Sequence, residues 1–71
     1  MKKDFESDEI FLTTTKGYIV NIIRVIVTPC AELVVCEVKG EHKLFKVYSN
    51  NKGEYITVKC DGEYLGRCYL I

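Results

Sequence analysis

The sequence predicts an all-β domain, a meander of five or six antiparallel strands curled into a small barrel or a strongly bent sheet. Three features indicate this class: a long β-branched run, segments in which apolar and polar residues alternate, and turn sequences rich in Gly, Asn and Asp between them. The chain has 71 residues, which is enough for one domain. We expect residues 9–71 to form this domain and the acidic segment 1–8 to be flexible.

The most informative segment is the run YIVNIIRVIVT at residues 18–28, which is apolar at both odd and even positions. A strand with one face in water should alternate, so this strand needs apolar cover on both faces. Its eleven residues would extend over roughly 36 Å, whereas a compact chain of this size has a diameter of about 29 Å. We therefore predict either a bend, at a bulge near Asn21 or Arg24, or a strand end that pairs with a second chain.

A first strand is predicted from Glu9 to Thr14, followed by a two-residue Lys-Gly turn into the run. Pairing through that turn sets Phe11 opposite Ile22. It also sets Glu9 opposite Arg24, which is a favourable charge match. The hairpin therefore accounts for a charged side chain within an otherwise apolar strand.

The segment at 29–39 could form a helix or a strand. Thr28 and Gly40 occupy positions typical of helix ends, which gives an alternative α+β fold with a helix at about 29–39. The three valines of the segment favour a strand instead. We prefer the strand, because a type II′ turn after it pairs Cys36 with Phe45 on one face.

The last hairpin, around Asp61-Gly62, has two competing registers. A two-residue turn pairs Val58 with Leu65, whereas a turn with Gly62 as a bulge pairs Val58 with Tyr64. The second is preferred, because it places Tyr64 on the apolar face of the preceding strand. Gly66 within the last strand predicts a bend or a close backbone approach. The strands of this half are expected at 44–49, 54–60 and 63–71.

Charge and length exclude several classes of protein. Ten basic and ten acidic side chains cancel, so no net field attracts nucleic acid or an anionic membrane. No apolar segment follows the two lysines at the start, so no signal peptide is expected. The run at 18–28 is too short for a membrane helix. We therefore expect a cytoplasmic protein without a membrane partner.

The four cysteines, Cys30, Cys36, Cys60 and Cys68, are expected to be free structural thiols in that compartment. Their spacings do not match paired zinc ligands, so no metal site and no cofactor are predicted. His42 is the only histidine, and phosphate-binding glycine motifs are missing from the sequence. Catalysis would need a second group beside His42, and the sequence places none there. We therefore predict that the chain is not an enzyme.

The surplus of apolar residues favours a binding function. The first hypothesis is a small cytosolic module that acts through protein–protein contacts and self-association, including accessory or inhibitory roles. Its partner is not identifiable from the sequence. The candidate interface residues are Ile19, Ile23, Val25, Val27, Leu44, Leu70 and Ile71.

Two further hypotheses use tyrosines and basic residues. One is an oligomer that sequesters a small anionic ligand or nucleotide at a subunit junction. The other is weak binding of single-stranded nucleic acid, on aromatic rings beside a basic groove. The balanced net charge argues against nucleic acid as the main partner. The residues of this surface are predicted to be Tyr48, Tyr55, Tyr69, Lys43, Lys46, Lys59 and Arg67.

Overall fold

Seven β-strands form in residues 10–70, the part of the chain that this computed structural model describes. They are β1 Ile10–Thr13, β2 Ile19–Val27, β3 Glu32–Val38, β4 Glu41–Lys46, β5 Tyr48–Asn50, β6 Gly53–Cys60 and β7 Glu63–Tyr69. All pairings are antiparallel, in a four-stranded sheet of order β1-β2-β3-β4 and a three-stranded sheet of order β5-β6-β7.

The all-β antiparallel prediction is confirmed, as is the preferred strand within 29–39, and two finer predictions are wrong. The described strands number seven and form two sheets without closing into a barrel. The alternative helix at 29–39 does not form, because β3 occupies most of that segment. The predicted flexible segment 1–8 lies outside the described residues. Within 10–70, no helix has the length and apolar character needed to cross a membrane.

The division into two sheets occurs at Val47. A single strand was expected at 44–49, but β4 ends at Lys46 and β5 begins at Tyr48. The Val47 amide donates a hydrogen bond to the Glu32 carbonyl at 2.9 Å. The chain therefore leaves the first sheet within one residue and continues in the second.

The first hairpin has a three-residue loop rather than the expected two-residue turn. The Thr14 amide donates to the Tyr18 carbonyl at 2.8 Å, and Gly17 adopts a φ of +91°. The extra loop residue shifts the register by one, so Phe11 lies opposite Asn21 and not opposite Ile22. The predicted partner of Arg24, Glu9, lies outside the described residues.

The predicted bend in the apolar run is confirmed as a β-bulge. Ile22 pairs with Cys36 and Arg24 pairs with Val35, which leaves Ile23 as the extra residue in β2. The bulge reverses the side-chain alternation along the strand. Even-numbered residues such as Ile22 point to the core side of the sheet before the bulge, and odd-numbered residues such as Val25 do so after it. This explains why the run is apolar at both odd and even positions.

The hairpin between β3 and β4 turns at Lys39-Gly40, where both residues have positive φ, 52° and 80°. Two positive φ values are the geometry of a type I′ turn, which matches the twist of the strands. The predicted type II′ turn is wrong, and Cys36 pairs with Lys43 instead of Phe45. The shift is an even number of residues, so each side chain stays on its predicted face.

The last hairpin also turns through two residues of positive φ, Asp61 and Gly62. Lys59 pairs with Tyr64, but Val58 then pairs with Gly66, so Leu65 is the extra residue of a bulge. The preferred register is therefore wrong for Tyr64, which is exposed, while Leu65 is buried. Gly66 and the cysteine two residues later do lie on the buried face, as expected.

The core lies between the two sheets and consists of nine buried residues: Val20, Val34, Cys36, Val38, Ile56, Val58, Cys60, Leu65 and Cys68. The first hairpin also binds the edge of β7. The Thr14 hydroxyl donates to the Leu65 carbonyl at 2.7 Å, and the Thr15 amide donates to the Arg67 carbonyl at 2.8 Å. These bonds fix the three-stranded sheet against the first, and they position its outer face.

Candidate binding surfaces

Three tyrosines form a continuous row across the outer face of the three-stranded sheet. Tyr48 pairs with Tyr55, and Tyr55 pairs with Tyr69, so the register places the three rings side by side. The ring centroids of Tyr48 and Tyr55 are 5.9 Å apart, and those of Tyr55 and Tyr69 are 5.4 Å apart. We call this surface the tyrosine face; its strand residues are Tyr48, Tyr55, Thr57, Lys59, Tyr64, Arg67 and Tyr69.

Basic groups lie over the rings of the tyrosine face. The Arg67 guanidinium is 4.3 Å from the centroid of Tyr55, within the range of a cation–π contact. The Lys46 ammonium lies 5.7 Å from the centroid of Tyr48. Both charged residues on the strand positions of this face, Lys59 and Arg67, are basic. The face therefore combines exposed π surface with positive charge.

Acidic side chains of the same sheet are directed elsewhere. Glu54 is adjacent to Tyr55 in β6, so the strand alternation places it on the opposite side. Glu63 pairs with Cys60 in the register and forms an ion pair with Lys39 at 3.3 Å. The positive character of the tyrosine face is therefore not cancelled by these carboxylates.

The Tyr69 hydroxyl lies at the end of the row and accepts two long hydrogen bonds. Asn50 Nδ2 donates at 3.4 Å and Arg67 Nη1 at 3.5 Å. These donors lower the pKa of Tyr69 because they stabilise the phenolate. The hydrogen bond between Arg67 and Tyr69, together with the nearby Tyr55, raises the pKa of Arg67. The hydroxyl proton of Tyr69 is left available for an incoming acceptor.

An open groove of about 410 Å³ runs beside the row, where the two sheets meet. Its lining combines apolar, aromatic and basic side chains: Leu44, Phe45, Lys46, Tyr48, Tyr55, Thr57 and Lys59. Four of these residues, the two tyrosines and the two lysines, belong to the ligand surface predicted from the sequence. The groove thus extends the tyrosine face toward β4.

The structure brings together all the predicted ligand-surface residues except one. Lys43 points away, because it pairs with the buried Cys36 and forms an ion pair with Glu41 at 3.0 Å. Sequence reasoning missed Lys16, whose ammonium lies 5.5 Å from the Tyr64 centroid. The misassigned register of the last hairpin hid this contact, because it placed Tyr64 in the core.

The outer face of the four-stranded sheet is a second exposed surface. Phe11, Ile19 and Leu44 are 59%, 65% and 57% exposed although they lie on a sheet face. We call this surface the apolar face; its apolar residues are Phe11, Ile19, Ile26, Leu33, Val35 and Leu44. A polar row of Asn21, Glu37 and His42 crosses it. Asn21 Oδ1 is buried there without a hydrogen-bond partner among the described residues.

The predicted interface residues separate into different environments. Ile19 and Leu44 lie on the apolar face, and Ile23 is the exposed bulge residue. Val25 and Val27 are also exposed, but they lie on the other side of β2, since Val25 pairs with the buried Val34. Leu70 packs against the core instead of standing free. Ile71 lies outside the described residues.

Two of the buried thiols, Cys36 and Cys68, have little nucleophilic character. Cys36, Cys60 and Cys68 are buried and free, as predicted, whereas Cys30 is exposed. Burial raises the pKa of Cys36 to about 12, with a smaller contribution from Cys68, and burial also raises the pKa of Cys68. The thiolate is the reactive form, so neither group is activated at neutral pH.

One group of side chains offers three metal-ligand atoms within 4.8 Å of one another: Glu41, Cys60 and Asp61. The Lys43 ammonium already neutralises Glu41 at 3.0 Å. The Cys60 Sγ lies 3.8 Å from Asp61 Oδ2, the geometry of a protonated thiol that donates to a carboxylate. Glu41 is therefore paired with a lysine, and Asp61 accepts a hydrogen bond from the Cys60 thiol.

Comparison with protein-family models, with curated proteins and with solved structures found no match to this chain.

Proposed function

We propose that this chain is a non-enzymatic binding module that associates with a second copy of itself through the apolar face. The observation that supports this is the exposure of Phe11, Ile19 and Leu44 on one side of a four-stranded sheet. Fully burying a side chain of this kind is worth roughly 1.5–3 kcal/mol. An exposed apolar surface on a small domain is typical of a protein contact site.

Charge favours a second copy as the occupant. In a two-fold symmetric dimer the same patch meets itself, so it must be complementary to itself. The apolar face carries the basic Arg24 together with the acidic Glu37. Charges of both signs can pair across such an interface. The tyrosine face has only basic charges at its strand positions, so two copies would repel each other there.

The area of the apolar face determines how stable the dimer is expected to be. The four strands contain 26 residues, and strand spacings of about 3.3 and 4.8 Å give a flat area of roughly 400 Å². Two such faces provide roughly 800 Å² in total, which is less than the roughly 1,200–2,000 Å² that stable specific interfaces bury. The dimer is therefore expected to dissociate on dilution.

Light scattering after size-exclusion chromatography, over a dilution series, tests the proposal. The wild-type chain should give a dimer mass that falls toward the monomer mass on dilution. Ile19→Lys and Leu44→Gln should each give a monomer at every concentration, with an unchanged circular dichroism spectrum. Val27→Lys is the matched control, because it changes an exposed residue of the same strand on the opposite side.

Two results would contradict the proposal. One is a wild-type chain that stays monomeric at the highest concentration. The other is a dimer that Val27→Lys disrupts as strongly as Ile19→Lys does.

A further inference from the structure

We infer that the tyrosine face binds single-stranded nucleic acid, with bases stacked on the tyrosine rings and phosphates paired with Arg67, Lys46 and Lys59. This function goes beyond self-association and is centred on the tyrosine face, which adjoins the apolar face at Leu44 and Lys46 in the groove. It does not depend on the dimer.

The arrangement of the rings supports stacking. Proteins that bind single strands present aromatic side chains in sequence beside a basic groove, and each ring can stack on a base. Here Tyr48, Tyr55 and Tyr69 cross all three strands with spacings of 5.9 and 5.4 Å. Tyr48 at one edge and Tyr64 near the last turn are 47% and 44% exposed. Both rings therefore have solvent-exposed surface on which a base could stack.

The arrangement of charge supports phosphate binding. Arg67 lies at the centre of the face, while Lys46 and Lys59 line the groove beside it. Lys16, contributed by the first hairpin, lies over Tyr64 at the far end. The zero net charge of the whole chain conceals this local concentration, and it is the local field that guides a polyanion.

The same features favour a single strand over other anions. In a duplex the base faces are stacked inside, so the tyrosines would have nothing to contact. An acidic peptide could pair with the basic groups but does not carry a planar ring on every residue, as a single strand of nucleic acid does. A mononucleotide would use one ring and one phosphate site. The groove is open along the sheet, so a continuous strand can enter and leave it.

Fluorescence anisotropy with a labelled oligonucleotide of about 12 nucleotides, within the usual range of site sizes, tests the inference. Oligodeoxythymidylate and oligouridylate are compared to distinguish DNA from RNA as the ligand. Binding of either one, with much weaker binding of a duplex of equal length, is the expected result. If three phosphates are neutralised, the logarithm of the affinity should fall with the logarithm of salt concentration with a slope of about −2.

Aromatic variants separate stacking from general attraction. Tyr48→Ala should weaken binding roughly fivefold or more, the range for loss of one base–aromatic stack. Tyr48→Phe should bind like the wild type because it retains the ring. Phe11→Ala is the matched control, since it removes an exposed aromatic ring from the apolar face and should leave the affinity unchanged.

Charge variants locate the phosphate contacts. Lys59→Glu should weaken binding and reduce the salt slope by about 0.7 or more. Arg24→Glu makes the same change of charge on the apolar face and should have a smaller effect on both quantities. Ile19→Lys, used to separate the dimer, should still bind the oligonucleotide, so the two functions can fail independently.

Several outcomes would overturn the inference. They are undetectable binding at low salt, equal affinity for the duplex, equal losses in Lys59→Glu and Arg24→Glu, and affinity for a free mononucleotide equal to that for the oligonucleotide. The last result would assign the face to a small anionic ligand instead.

Discussion

Gly66 lies so close to Thr15 that a Cβ atom on Gly66 would be 2.8 Å from the Thr15 Oγ1 atom. The same hydroxyl accepts a hydrogen bond from the Arg67 amide at 3.0 Å. The first hairpin of the four-stranded sheet thus packs directly against the backbone of β7. This contact places Lys16 over Tyr64 and completes the basic end of the tyrosine face.

We predict that Gly66→Ala destabilises the protein through this contact. The new methyl group would also lie 3.0 Å from the backbone nitrogen of Lys16, which cannot move aside as a flexible side-chain end could. Gly66 has a φ of +108°, a strained value for alanine. Overpacking costs about 1–3 kcal/mol, and the backbone strain adds to it. Urea unfolding monitored by circular dichroism measures the loss.

Gly62→Ala is the matched control for that substitution. Gly62 also has a positive φ, +82°, but a Cβ there would have no neighbour within 4 Å. It should therefore show the strain alone and a smaller loss of unfolding free energy. Equal losses of unfolding free energy in the two variants would mean that the close approach of Gly66 to Thr15 does not affect stability.

Most of the strands could be predicted because they have a local signal. Alternation defines β6, and the β-branched run defines β2. The excess length of that run even indicated its bulge. Gly66 was expected to mark a close approach, because no turn explained a glycine at that position. These inferences need only the side chains of one segment.

Strand registers could not be predicted, because they depend on turn geometry. Lys39 and Asp61 adopt φ values of 52° and 53°, in the left-handed region that non-glycine residues seldom occupy. The turn at Lys39-Gly40 therefore lies one residue earlier than predicted, and the turn at Asp61-Gly62 is one residue shorter than the preferred prediction. The switch between sheets at Val47 has no local signal at all, since a β-branched residue is expected to continue a strand.

Most of the tyrosine face could be predicted from alternation, since Tyr55 and Lys59 fall at odd positions of one strand. Most of its basic residues were predicted as well, but its net positive charge was not, because that charge depends on where the acidic side chains point. The directions of Lys43 and Glu54, away from this face, are set by register and alternation. A neutral chain can therefore present a basic surface once the strands are paired.

We predict that stability falls in alkaline solution because of Cys36. Burial raises the pKa of this thiol from 9.0 to about 12 in the folded state. Between these values the unfolded chain releases the proton while the folded chain retains it. The stability contribution is therefore complete below pH 9.0 and is lost as the pH rises toward 12. The loss approaches about 1.4 kcal/mol per pH unit for one proton.

Urea unfolding below and above pH 9.0, the ordinary pKa of the thiol, measures this effect. The unfolding free energy of Cys36→Ala should fall less steeply with pH than that of the wild type. The cavity left by the substitution should lower it by the same amount at every pH. Cys30→Ala is the control, because Cys30 is exposed and should leave the slope unchanged. A slope for Cys36→Ala equal to that of the wild type would contradict the prediction.

The bulge in β7 predicts opposite effects for two adjacent residues. Leu65 is fully buried, so Leu65→Ala should cost about 2–5 kcal/mol, whereas Tyr64→Ala should cost less than about 1 kcal/mol. The register favoured by the sequence alone places Tyr64 in the core and predicts the reverse order. If Leu65→Ala does not fold, Leu65→Val provides a milder change of about 1 kcal/mol. Urea unfolding of these variants measures which substitution causes the larger loss of stability. A larger loss for Tyr64→Ala than for either Leu65 variant would mean that the bulge is absent and that Tyr64, rather than Leu65, fills the core.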